Sequence, residues 1–303
     1  MKKTNTQESD IKPKPVIKWA GGKSQILPEI RQRYPLGLGK EIKRYAEPFI
    51  GGAAVLLDIL STYQMDEVLI CDTNAELINL YKTIQNNVED LIGQLRCFKD
   101  EFLPLLSDKR KEYYYTKRER FNNLKRASKY DVEIAALFVF INKTCFNGLY
   151  RVNSKGDYNV PMGAYKEPPI CDENNLRRVS NLLQGVQIKC GDYHISDSFA
   201  DEKTFMYFDP PYRPLTQTAS FTSYTENCFD DAAQTELAKY IISLVQRGVH
   251  VLASNSDPKN TNVNDNFFDD LYSPLTIERI TATRMINSNA DGRGKINEIL
   301  VHN

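Results

Sequence analysis

Short apolar runs that stop at glycine, proline or an acid recur through both ends of this chain, and each is followed by a stretch with helical periodicity. Residues 44–49 read as a strand that breaks at Gly51-Gly52 and enters a helix over 53–60. Residues 67–71 form a β-branched, apolar run ending in Asp72, after which Asn74 caps a helix over 75–85. Strands at 186–190 and 205–208, a helix at 232–246, a strand at 249–253 and a helix at 264–271 continue the pattern. Ahead of all these, 16–18 is a short extended run, followed by Gly21-Gly22 and a helix from 23 to 33. Two late extended runs, 275–280 and 296–301, finish the sheet as a hairpin. Strand–helix units in this order predict an α/β fold with a parallel, helix-covered sheet.

The middle of the chain differs. Residues 107–129 carry nine Lys/Arg against three Asp/Glu, interleaved with Tyr113, Tyr114, Tyr115 and Phe121. That segment reads either as a phosphate-gripping surface or as a solvated helix face. An apolar helix over 132–141 follows, then an alternating stretch over 149–161 centred on Ser154-Lys155-Gly156-Asp157, which reads as a hairpin. A helix over 173–183 leads back to the sheet. The expected organisation is a polar, Lys-rich disordered tail over 1–14, one α/β domain built from 15–91 and 186–303, and an inserted, mainly helical unit over 92–185. A chain of 303 residues with 41% apolar composition is long enough for a large core and a smaller appended unit.

Lys/Arg and Asp/Glu balance at 39 each, so any affinity for a polyanion has to come from a local surface. The apolar runs fall well short of the roughly 20 residues of a membrane span, and no membrane partner is expected. The first fifteen residues lack the apolar core of a signal peptide. The six cysteines form no CxxC pair and the three histidines are scattered, so no metal is expected. The thiols read as reduced, in a cytoplasmic protein.

Three motifs carry chemistry. Phe208-Asp209-Pro210-Pro211-Tyr212 directly follows an apolar run. A strand ending in Asp at its carboxyl edge delivers that side chain into the crevice where α/β sheets bind ligands. Two prolines fix φ and remove two backbone donors, leaving carbonyls to accept, and Tyr212 adds a flat face. Such a rigid acceptor pair beside a stacking surface suits a planar amine; the other reading is a strand ending in a Pro-rich turn. In Lys18-Trp19-Ala20-Gly21-Gly22-Lys23 the glycines allow close backbone approach, Trp19 can pack on a ligand and Lys23 can neutralise a carboxylate. The P-loop spacing is absent, and a plain glycine turn is the alternative. Glu47-Pro48-Phe49-Ile50-Gly51-Gly52-Ala53 reads as the first strand–turn–helix corner of a nucleotide-binding sheet. Asp72, about twenty residues on, can bind ribose hydroxyls or cap the next helix.

In this order the motifs resemble the Dam-like family of DNA adenine-N6 methyltransferases (the D12 class, alpha group). The resemblance covers nearly all of residues 14–303. It rests on KWAGGK at 18–23, EPFIGG at 47–52, CDTNAELINLY at 71–81, NKTCFNGLYRVNSKGDYNVPMGAY at 142–165, CGDY at 190–193 and FDPPYRPLTQTASFTSY at 208–224. It implies a Rossmann-like methyltransferase sheet that uses S-adenosyl-L-methionine, with 92–185 as a target-recognition domain for double-stranded DNA. It also implies action on a short palindrome, most often GATC, in some members beside a cognate restriction endonuclease.

By that resemblance the cofactor-binding residues are Trp19, Ala20, Gly21, Lys23, Glu47, Pro48, Phe49, Gly51, Asp72, Asp192 and Asp209. The catalytic residues are Asp209, Pro210, Pro211 and Tyr212. Phe146 falls where many members place a Tyr that wedges into DNA, and Asn147, Leu149, Arg151 and Asn153 fall on base or phosphate contacts. Two positions depart from the pattern. Ala53 replaces a common third glycine, which is tolerable if φ is negative there. Ala164 stands where some members carry a DNA-contacting Arg.

The implied mechanism has Asp209 and the Pro210 carbonyl accept the two hydrogens of adenine N6, so that its lone pair faces the sulfonium methyl. The base must first be flipped from the duplex. A methyltransferase acting on another planar amine, an RNA base or a protein glutamine, is the competing activity, but it would not need the long insert. A non-catalytic DNA-binding protein has no need of an intact Asp209–Tyr212, and a nicotinamide oxidoreductase is disfavoured by the missing GxGxxG fingerprint.

Overall fold

The computed structural model describes residues 11–213, 229–283 and 295–303. Its strands are β1 (Arg44–Glu47), β2 (Glu67–Asp72), β3 (Gln187–Cys190), β4 (Thr204–Phe208), β5 (His250–Ser256), β6 (Thr276–Thr283) and β7 (Lys295–His302). Among the described residues they form a seven-stranded sheet in the order β3-β2-β1-β4-β5-β7-β6. The first five are parallel, and β7 runs antiparallel to both β5 and β6. The helix-covered α/β sheet and its closing hairpin are therefore as expected. β4 lies at the centre and is buried at every position, which is why Thr204–Phe208 reads as a continuous apolar run rather than an alternating one. The chain leaves β1 toward one edge through β2 and β3, then returns to β4 on the other side of β1. The β1/β4 boundary is thus the switch point where open α/β sheets form a ligand crevice.

The helices are α1 (Leu27–Arg31), α2 (Ala54–Thr62), α3 (Ala75–Asn86), α4 (Val88–Phe102), α5 (Ser107–Arg126), α6 (Val132–Thr144), α7 (Glu173–Leu182), α8 (Asp231–Gln246) and α9 (Phe267–Leu271). The Asn74 cap of α3 forms as expected, its side chain accepting from Leu77 N at 2.8 Å. α6 is buried from Ile134 to Asn142, an apolar helix enclosed by α3, α4 and α5. Its residues belong to one continuous core that also holds Tyr45, Ile70 and Leu300 of the sheet. The 92–185 segment therefore shares the sheet's core on that face. A second core, around Phe208, Leu237 and Ile299, fills the opposite face.

Several expectations need correction. The run at 16–18 is not a strand: the backbone of Lys18 gives its N–H to Asn142 Oδ1 and its carbonyl to Asn142 Nδ2, both at 2.9 Å, so one side-chain amide stands in for a β partner. The helix expected over 23–33 splits into a 3₁₀ turn, Lys23–Gln25, and α1, because Pro28 has no N–H with which to continue the ladder. Residues 149–161 make a hairpin with a single bridge, Val152 to Tyr158, rather than two regular strands. Of the tail, residues 1–10 lie outside the described residues. Residues 11–14 are tied down, with Lys14 N donating to Asn175 Oδ1 and Lys12 Nζ to Thr62 Oγ1. Ala53 has φ +62°, the left-handed region, so the condition for its easy tolerance fails. A left-handed alanine costs on the order of 1 kcal/mol, held here by the turn that opens α2.

Candidate active site at the strand-order switch

Asp209 leaves the end of β4 at the switch point. The last residue of β4 pairs with Ala253 of β5, so the ladder stops one residue before the acid and side chains take over. Lys23 Nζ lies 2.7 Å from Asp209 Oδ2 and 2.6 Å from Oδ1, and Ser254 Oγ donates to Oδ1 at 3.1 Å. Ser254 is itself linked to the buried Tyr207 hydroxyl at 3.0 Å. Burial pushes the Asp209 carboxyl up, and the Lys23 ammonium opposes that push.

Lys23 is only 3% exposed, and its ammonium also donates to the Gly21 carbonyl at 2.5 Å. The residue expected to face a ligand carboxylate therefore meets the protein's own Asp209. It also lies 4.7 Å from the centroid of the Tyr212 ring. The Tyr212 hydroxyl donates to Glu298 of β7 at 2.7 Å, so the ring is held through its hydroxyl and over one face. Pro210 is buried and Pro211 exposed, with the Pro211 carbonyl accepting from Gln234 Nε2 at 2.9 Å.

Beside Asp209, at the end of β1, Glu47 is 2% exposed and accepts from the Tyr45 hydroxyl at 2.7 Å. Burial raises its carboxyl to about 8; the Tyr45 hydrogen bond works against this and the Asp209 charge adds to it. Pro48 is buried, and its carbonyl faces the Cys71 thiol. The half-buried Phe49 ring lies 5.7 Å from Tyr193.

Gly51 has φ +43°, and a Cβ there would lie 2.8 Å from Trp19 Cδ1. Glycine is required because the indole packs directly on this turn. Trp19 in turn tilts over Tyr150, with centroids 5.4 Å apart. Ala20 and Gly21 are exposed beside it, Gly21 at φ +77°.

Asp72 accepts from Asn74 N at 2.9 Å and from Gly51 N at 3.2 Å, joining the glycine turn to the end of β2. Burial raises its carboxyl against those backbone bonds. Asp192 follows β3, is exposed, and caps the turn after it by accepting from His194 N at 2.9 Å. The ends of β1, β2, β3 and β4 thus bring Glu47, Asp72, Asp192 and Asp209 to one edge of the sheet.

The residues expected to touch DNA sit on the segment that follows α6. Phe146 is 53% exposed. Asn147 adopts φ +56°, a conformation Asn tolerates. Gly148 lies so close to Lys18 that a Cβ would come within 2.5 Å of its side chain. The 1%-exposed Asn142 binds the Gly148 carbonyl at 3.0 Å as well as the Lys18 backbone, locking this segment to the N-terminal motif. Leu149 is half-buried. Arg151 is exposed, with Nε donating to Asn159 Oδ1 at 2.7 Å across the hairpin. Asn153 builds the turn, accepting from Lys155 N and Asp157 N.

In α5 many of the basic side chains are used within the chain. Arg126 pairs with Asp157, Arg120 with Glu133 and Lys125 with Glu76, while Arg110 and Arg118 donate to carbonyls of Lys166 and Val160. For these five the structure favours fastening over a phosphate grip. Asn142, Gln234, Ser254, Asn255 and Glu298 were not singled out by sequence. Polar residues inside the apolar runs at 132–144, 249–256 and 296–301 are the available signal for all of these but Gln234.

The site suits a ligand with hydroxyls and positive charge. Carboxylates line the strand ends, and the Asp72 carboxylate, which receives three backbone N–H groups, has acceptor capacity left for a ribose hydroxyl. Trp19 and Phe49 supply aromatic surface, and the buried lysine nearby is already occupied by Asp209. Such a set fits a nucleoside sulfonium better than a polyphosphate. Among the described residues no group of acids, histidines and cysteines could hold a metal, and no helix is long and apolar enough to cross a membrane.

The family described as D12 class N6 adenine-specific DNA methyltransferase matches residues 19–286. A protein of Methanocaldococcus jannaschii named Type II methyltransferase M.MjaIII is 48% identical over 292 residues, covering 96% of this chain and 99% of that protein. One of Lactococcus lactis subsp. cremoris, also named a Type II methyltransferase, is 36% identical over 98% of each chain. The DNA adenine methylase of Haemophilus influenzae is 33% identical, covering 98% of this chain and 96% of its own.

Proposed function

This chain belongs to the D12 class of N6 adenine-specific DNA methyltransferases, and we propose that it methylates a flipped adenine of duplex GATC at Asp209. The observation that carries the reading is the Asp209 carboxylate itself. It stands at the switch point, held by Lys23 and Ser254 and followed by two prolines and a clamped Tyr212.

Adenine N6 is a weak nucleophile because its lone pair is delocalised into the ring. Asp209 and the Pro210 carbonyl accept the two N6 hydrogens and so favour a pyramidal nitrogen. Tyr212 stacks on the extruded base, and Phe146 enters the space it leaves. Trp19, Ala20, Gly21, Lys23, Glu47, Pro48, Phe49, Gly51, Asp72 and Asp192 form the walls that hold S-adenosyl-L-methionine. When bound, that cofactor supplies an electrophilic methyl group on sulfur. The chain's contribution is mainly positioning.

Residues 92–185 form the recognition unit, with Asn147, Leu149, Arg151 and Asn153 on the DNA side. The enzyme works in the cytoplasm, alone or beside a cognate restriction endonuclease as its functional counterpart. Direct reading of modified bases in DNA from cells expressing the protein tests the site: N6-methyladenine at GATC is expected, and methylation confined to another sequence would refute that specificity.

A further inference from the structure

Two consecutive prolines leave Asp209-Pro210-Pro211-Tyr212 short of backbone donors just where the β4 ladder ends. Its orientation must therefore be fixed by other means, and α8 and β5 supply them. Gln234, 0% exposed in the first turn of α8, donates from Nε2 to the Pro211 carbonyl at 2.9 Å. Its Oε1 accepts from Asn255 Nδ2 at 3.1 Å. Asn255, 4% exposed, presents Oδ1 to Arg213 N at 3.4 Å, and Ser256 Oγ donates to the Arg213 carbonyl at 3.3 Å.

The Asn255 and Ser256 backbones are themselves fixed, because β5 pairs with β7 at Asn255–Ile299 and Ser256–Glu298. A buried side-chain amide is costly unless bonded. Here Gln234 spends its amide on the Pro211 carbonyl and on Asn255, while Asn255 Oδ1 is shared between Arg213 N and its neighbour Ser256 N at 2.9 Å.

We infer that Gln234 and Asn255 are positioning residues: as one buried amide pair they set the direction of the backbone from Pro211 to Arg213, and through it the Pro210 carbonyl and Asp209. The inference rests on the reading of those two groups as the acceptors of adenine N6. It adds that their geometry is imposed from α8 and β5. Neither amide touches substrate.

The test compares Gln234→Leu, which keeps size but removes the amide, with the unbranched Gln234→Met, which fills similar space and also lacks a donor. Asp209→Ala is run alongside. The readouts are the single-turnover methylation rate under enzyme excess, which is blind to the fraction of folded molecules, and equilibrium binding of duplex DNA and of S-adenosyl-L-methionine. Both Gln234 variants are expected to lose rate by roughly 100-fold, the scale of a misplacement near 1 Å, with both affinities within a few-fold of wild type. If Gln234→Leu does not fold, Gln234→Met carries the comparison. Wild-type rates in folded Gln234 variants beside a dead Asp209→Ala overturn the inference alone. A rate retained by Asp209→Ala overturns the reading of the site, and the inference with it.

Discussion

The Lys23 ammonium lies within 2.7 Å of both carboxylate oxygens of Asp209, although the two residues are 186 positions apart. The pair joins the N-terminal glycine motif to the end of β4, so the first and last motifs of the chain meet in one part-buried contact.

Lys23→Met follows from that contact. Lys23 counteracts the upward push of burial on Asp209. Without the cation the carboxyl holds its proton to higher pH, and the ionised fraction at neutral pH falls. The ionised carboxylate is a much stronger acceptor than the protonated acid, so the acid limb of the single-turnover pH–rate profile should move to higher pH, with rate recovering as pH rises. An acid limb identical to wild type would show that Lys23 does not tune Asp209.

Glu47 makes a stability prediction. Its folded-state carboxyl lies at about 8, against an ordinary value of 4.5. Between those two values the folded chain binds more protons than the unfolded one, so this group's contribution falls as pH rises from about 4.5 to about 8. Glu47→Gln keeps an acceptor for the Tyr45 hydroxyl and removes the titration. The variant should gain stability relative to wild type steadily across that window in denaturant melts. A constant difference between pH 5 and pH 8 would place the Glu47 carboxyl at an ordinary value in the folded state.

Arg151→Ala should relax sequence discrimination and spare the chemical step. The side chain is exposed on the hairpin and steadied by Asn159, away from Asp209 in the chain and in its partners. Arginine in a major groove pairs bidentately with guanine, worth about 1–3 kcal/mol of discrimination. A base contact predicts loss concentrated on the cognate duplex. A phosphate contact predicts uniform weakening and a salt slope lower by about one. Methylation of cognate and singly altered duplexes at two salt concentrations separates them, and equal losses on all duplexes would remove Arg151 from the specificity set.

Local rules made much of this legible beforehand. The Asn74 cap, the apolar run ahead of Asp209 and the closing β6–β7 hairpin depend on near neighbours, and each is present. What stayed hidden depends on distant approach. The turn at Ala53 is left-handed because β1 must enter α2 sharply, and nothing in Gly-Gly-Ala states the sign of φ. Lys23 could be assigned a carboxylate partner by charge, but not the identity of that carboxylate. The basic run of α5 looks like a polyanion surface until Asp157, Glu133 and Glu76 arrive from elsewhere to pair with it. Asn142 reads as one polar residue at the end of an apolar helix, and only the fold puts Lys18 and Gly148 against its amide.

The most direct measurement of the central claim is the single-turnover methylation rate of Asp209→Ala on a GATC duplex, with binding of the same duplex measured in parallel. Loss of the charged acceptor should lower the rate by at least about 100-fold, the scale seen when one transition-state hydrogen-bond group is removed, while duplex affinity stays within a few-fold of wild type. A near wild-type rate in the folded variant would contradict the assignment of Asp209 as the group that receives the N6 hydrogens.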